Sequence, residues 1–298
     1  MMRIILIGSW IFTLVFASWA FSLEIKANQN CYLPGDELVL SASYDGGIEE
    51  RVDVYVAFLL PGDDIIFWGS DGEHLVFTRE PLPVVRGWIP TPFGDTPFFR
   101  YRVSGIEPPG GYKVVSAFLR SEEFSSDALL EYAEREFVLN RGIVSWSPED
   151  GVVLDTIFPE FSFELCYGVD NVELLRHMRI KIESLLSGKW VEAYPDGEDF
   201  LVHAFLPGEV PGEETHIYKR YSLEDLEDMS FLRIEFSPNG KRFSFRIERY
   251  QTEFGEFSLH YGGSYKLSLE ILEGLTDPEG REIPPGRVEI NFSIAPLN

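Results

Sequence analysis

The sequence predicts an all-β protein built from two tandem β-sandwich domains, with one or two short helices inserted. Three observations carry this. Short segments of alternating apolar and polar residues recur along the whole chain, the period of a half-buried strand. Phe and Tyr number 24 and 13 and favour pleated surfaces over helices. The 26 Gly and 19 Pro fall between the alternating segments, where turns are needed. A length of 298 residues fits about two domains.

The amino terminus reads as an export signal over residues 1–22. Met1-Met2-Arg3 is a short basic start, Ile4 to Phe16 is an apolar run, and Ser18-Trp19-Ala20 or Ala20-Phe21-Ser22 supplies small residues for cleavage. The run is short for a spanning helix, which needs roughly 20 apolar residues. An uncleaved anchor is the alternative. No later segment is apolar enough to span, so the mature chain is expected to be exported and soluble, in the periplasm, at the cell surface or outside the cell.

The first domain is expected over 23–140. Its strands are read at 37–43, where Leu38, Leu40 and Ala42 share a face, and at 51–61, where Val52, Val54, Val56 and Phe58 do. Further strands follow at 64–69, 74–80, 83–89, 98–106, 112–120 and 135–140. "SSDALLEYA" (125–133) reads as a short helix capped by Ser125 or Ser126. Arg141-Gly142 then breaks the series, and "SWSPEDG" (145–151) turns the chain into a second one. The boundary is placed near residue 141.

The second domain is expected over 141–298. It has strands at 158–167, 179–186, 189–194, 200–206, 231–237, 241–251, 264–274 and 288–295. A helical turn is read at 171–178, and a capped helix at 221–229 with Ser222 as cap and Asp225 three residues on.

The second domain opens with Ser147, Pro148, Asp150 and Gly151, then Pro159, Phe163 and the pair Val169-Asp170. It closes with Gly263, Tyr265, Leu275, Asp277, Gly280 and Phe292. In this outline residues 143–296 resemble the SbsA-type bacterial Ig-like domain, a family first associated with S-layer proteins. The first domain resembles, more loosely, Ig-like modules of secreted bacterial proteins through Tyr32, Pro34, Gly35 and Asp36 and the "PPGGY" at 108–112. The resemblance implies two tandem Ig-like sandwiches and turn and core roles for these residues. The second domain is longer than such modules usually are, and the extra length is placed near 184–240. Loops and additions on a rigid sandwich are where binding concentrates.

The chemistry-bearing residues are sparse. His74, His177, His203, His216 and His260 show no metal-ligand spacing, and no phosphate loop or nucleophile elbow is present. No catalytic, cofactor or metal residues are assigned, and the chain is expected not to be an enzyme. Asp196, Glu198 and Asp199 cluster in a turn, which reads as a solvated acidic turn with calcium as the alternative ligand. Trp68, Trp88, Trp146 and Trp190 read as core residues, with a sugar-stacking platform as the alternative. Cys31 and Cys166 read as two buried thiols, with a disulfide as the alternative in an exported chain.

A net charge of −24 argues against nucleic acid and anionic membrane as partners. The expected role is a non-catalytic scaffold or adhesion protein of the bacterial envelope or surface, bound to an envelope protein or polysaccharide. A carbohydrate-binding accessory is the second reading, and a hydrolase using an acid pair is the third.

Overall fold

The computed structural model describes residues 23–208, 213–222, 232–247 and 259–296. The export segment expected at 1–22, and the helix expected at 221–229 beyond Ser222, lie outside the described residues. The chain is all-β and divides into two compact units, Met1–Asn140 and Arg141–Asn298. Among the described residues no helix is long and apolar enough to cross a membrane.

The first unit contains β1 (Leu23–Ala27), β2 (Cys31–Tyr32), β3 (Glu37–Tyr44), β4 (Val52–Leu59), β5 (Ile65–Ser70), β6 (Leu75–Thr78), β7 (Val85–Trp88), β8 (Phe93–Arg102), β9 (Gly110–Arg120) and β10 (Leu129–Leu139). One sheet has the order β1-β3-β8. The other has the order β2-β10-β9-β4-β5-β6, with β7 also on β4. Leu23, Ile25, Leu38, Leu40 and Phe99 come from the small sheet. They share one buried cluster with Val56, Phe58, Val114, Phe118 and Phe137 from the large one. The core therefore lies between the sheets, as in a sandwich.

The helix expected at 125–133 is not formed. Ser126–Ala128 makes one 3₁₀ turn and the chain enters β10 at Leu129. β10 pairs with β9 from Leu129↔Leu119 to Leu139↔Gly110, and Ala133, Phe137 and Leu139 are buried. This long ladder overrides the helix propensity of Leu, Glu and Ala, which is worth only tenths of a kcal/mol per residue.

The second unit contains β11 (Ile143–Ser147), β12 (Val152–Leu154), β13 (Glu160–Leu165), α1 (Asn171–Arg176), β14 (Met178–Ser184), β15 (Trp190–Asp196), β16 (Asp199–Leu206), β17 (Thr215–Ser222), β18 (Leu232–Phe236), β19 (Arg242–Ile247), β20 (Ser264–Ile271) and β21 (Gly286–Ile294). The small sheet runs β11-β13-β19-β18 and the large one β12-β21-β20-β14-β15-β16-β17. Phe161 of β13 meets Phe245 at 5.4 Å within its sheet and Phe292 of β21 at 5.2 Å in the other. The aromatic alternation at 161–165 thus faces the other sheet.

Most of the added length expected near 184–240 becomes β15, β16 and β17, which extend the large sheet at one edge. β17 departs from the expectation: "THIYKRYS" alternates as a strand, and Ser222, expected to cap a helix, is its last residue. The thiol reading of the cysteines is also corrected. Cys31 and Cys166 are both disulfide-bonded and neither is free.

Candidate functional site: the outer face of β15–β17

The side chains of a strand alternate between faces. Val191, Ala193, Phe200, Val202 and Ala204 point inward and are buried. Their neighbours form rows on the outer face. Trp190, Phe205 and His216 lie opposite one another on β15, β16 and β17, and Glu192, His203 and Tyr218 form the next row. Tyr194, Leu201 and Arg220 form the third.

The rings in these rows pack on each other. Trp190 stacks on Phe205 at 5.5 Å, and His203 stacks on Tyr218 at 4.2 Å. His203 also meets Trp190 edge-on at 4.6 Å. The Lys181 ammonium of β14 sits 4.9 Å from the Trp190 ring centre. His203 Nε2 and His216 Nδ1 are 2.9 Å apart, diagonal neighbours on adjacent strands. Burial, with His216 beside it, pulls the His203 pKa below the usual histidine value. Tyr218, on the edge strand β17 of this sheet, is 58% exposed.

No sequence spacing links His203 with His216, because the pairing comes from the register of two strands. The signal that could have found them is the alternation His203-x-Phe205 and His216-x-Tyr218-x-Arg220, which puts each set on one face once β17 is recognised.

The acidic turn at 196–199 closes the β15–β16 hairpin. Gly197 takes a left-handed φ of +71°, which glycine adopts without strain. Arg220 ion-pairs with both Asp196 and Asp199. Among the described residues no group of three or more His, Cys, Asp or Glu is arranged to hold a metal. Of the four tryptophans read as core or platform residues, Trp68 and Trp88 lie in the first unit and Trp146 and Trp190 in the second. Trp68 packs edge-on against Phe99 at 5.4 Å and Trp88 against Phe118 at 5.7 Å, both at the first core. Trp146 carries the Arg141 guanidinium 4.9 Å above its ring, and Trp190 belongs to the outer face of β15.

Glu107, Asp53 and Asp277 are carboxylates held below the ordinary range that close loops, whereas Glu289 on β21 is lowered by the Lys266 and Arg287 beside it. Glu107 accepts from Ser104 N–H, Ser104 Oγ, Gly105 N–H, Asn140 Nδ2 and the Tyr101 hydroxyl. Burial pushes its pKa up, but hydrogen bonds from Ser104, Tyr101 and Asn140 outweigh this and hold it far below the usual carboxylate range. Asp53, buried in β4, accepts from Gly87 N–H, Ser121 Oγ and Glu122 N–H. Asp277 accepts from Glu279 N–H and from both Arg281 N–H and Nε.

Arg281 also lies 3.8 Å over Tyr167, beside a cleft of about 620 Å³ lined by Tyr167, Asp170, Asn239, Asp277 and Glu279. The Asp170 carboxylate in this cleft caps α1 through Val172 N–H and Glu173 N–H.

No family model matches the chain, and no curated protein matches it.

Proposed function

We propose that the chain is a non-catalytic structural and interaction protein of the bacterial cell envelope or surface. In this reading it is exported, and its units are Ig-like sandwiches, the second of the SbsA type. The observation that carries the reading is how three of its shifted carboxylates are used. Glu107, Asp53 and Asp277 are each committed to backbone and side-chain donors that close a loop. Such groups brace a rigid scaffold, whereas a catalytic acid needs an open line to a substrate.

The residues behind the SbsA resemblance support the same reading. Asp150 accepts from Asn291 N–H at 2.6 Å, Gly151 and Gly280 take left-handed turns, and Phe163, Tyr265 and Phe292 are buried. The oxidised state of Cys31 and Cys166 supports export to an oxidising compartment.

Pelleting with isolated bacterial envelopes, with and without calcium, tests the proposal. Saturable pelleting of the mature chain is the expected result. Failure to pellet in both conditions would overturn the envelope assignment.

A further inference from the structure

We propose that His203 and His216 form a binding site for a late first-row divalent metal ion of the copper(II) or nickel(II) class. The site goes beyond the scaffold role. It rests on the geometry of β16 and β17, where His203 Nε2 and His216 Nδ1 stand 2.9 Å apart. Two nitrogens each about 2.0–2.1 Å from one ion, at the right angle of a tetragonal copper(II) or nickel(II) centre, lie about 2.9 Å apart. The pair is therefore already at a chelating separation.

The rings are held in place from below and from the side. The strands that carry them are paired along their whole length, from Asp199↔Ser222 to Leu206↔Thr215. Tyr218 covers one face of His203, and Trp190 meets it edge-on. Phe205 meets His216 at 5.2 Å. Imidazole nitrogen suits copper, nickel and zinc, whereas magnesium and calcium take oxygen. The net charge of −24 raises the local concentration of any cation.

The ion sits off the line that joins the two nitrogens, and one of them must first give up the proton of their present hydrogen bond. The ring that carried this proton moves it to its other nitrogen, so the neutral pair binds metal without net proton release. The protein supplies two ligands, because among the described residues no group of three or more candidate ligands exists. Water fills the remaining positions, and the site stays open on the solvent side of the sheet.

The test titrates the full chain, free of any polyhistidine tag, with CuCl₂ at neutral pH. Calorimetry and electron paramagnetic resonance follow the wild type, His216→Ala and His203→Gln. His74, His177 and His260 remain as the background in every sample. The expected result is a first equivalent of copper bound by two nitrogens. Its affinity falls by at least about tenfold in either variant, since the second imidazole acts as an intramolecular ligand. His216 is exposed, so His216→Ala keeps the fold and decides the matter even if His203→Gln does not. A first equivalent with one nitrogen or none, or with unchanged affinity in His216→Ala, would overturn the site. Competition by CaCl₂ for the same equivalent would do so too.

Discussion

The Asp277 carboxylate, 5% exposed, accepts two backbone N–H groups and the Arg281 Nε at 2.7–2.9 Å. Burial raises its pKa and the hydrogen bonds from Arg281 lower it more, so it ends below the ordinary 3.8. A carboxylate depressed in the folded state stabilises above the ordinary carboxylate range. That contribution is lost as pH falls through the lowered value. Asp277→Ala leaves buried donors without an acceptor and is expected to cost about 2–4 kcal/mol at neutral pH. Asp277→Asn keeps one carbonyl acceptor and should cost less. Urea denaturation at neutral pH measures both, and an unchanged midpoint for the alanine variant would show that the loop closes without this clamp. The turn at Asp277 was expected from the family resemblance, and its chemistry is local, with donors two and four residues on. Glu107 was only half legible: its donors Tyr101, Ser104 and Gly105 lie within six residues, but Asn140, which ties the loop to the end of β10, lies 33 residues away.

At the scale of elements, most strands were readable from period-two alternation and turn residues. Short β1, β2 and β12 fall outside the expected strands, and two longer departures have identifiable causes. "LLEYAEREFVL" has helix-forming composition, yet as β10 it runs antiparallel to β9, and no local signal encodes a partner strand. β17 escaped for another reason: its alternation is local, but Ser222 at its end reads as a helix cap, and with the strand went the rows that bring Trp190, His203, Phe205, His216 and Tyr218 onto one face.

The ring contacts on these rows predict how the edge of the sheet is stabilised. Cross-strand aromatic pairs contribute roughly 0.5–1.5 kcal/mol each. Trp190 touches Phe205, His203 and Lys181, so Trp190→Ala should cost about 2 kcal/mol. The loss should be local. Amide hydrogen exchange is expected to accelerate in β16 and β17 while β13 and β19 keep their protection. Equal acceleration in all four strands would show that the extension and the small sheet open as one unit.

The whole molecule carries a net charge of −24, and its response to pH follows from groups that folding shifts in opposite directions. On the acid side, Glu107, Asp53 and Asp277 are all depressed, so stability falls once pH drops below the ordinary carboxylate range of about 4. On the alkaline side, burial raises Tyr32 and Tyr112 from 10.0 to about 12 each. A group raised in the folded state contributes fully below its unfolded pKa and loses that contribution as pH rises through the folded value. The first unit should therefore weaken between pH 10 and 12. Tyr112→Phe isolates one of the two tyrosines. It removes the hydrogen bond to the Pro108 carbonyl at 2.7 Å and is expected to cost about 1 kcal/mol near pH 8. The variant has no phenol to ionise at that position, so its alkaline decline should be shallower and the two stability curves should converge near pH 11–12. Urea denaturation of both proteins at pH 8 and pH 11 measures this. A gap of the same size at both values would mean that the alkaline limb is set by other groups than Tyr112.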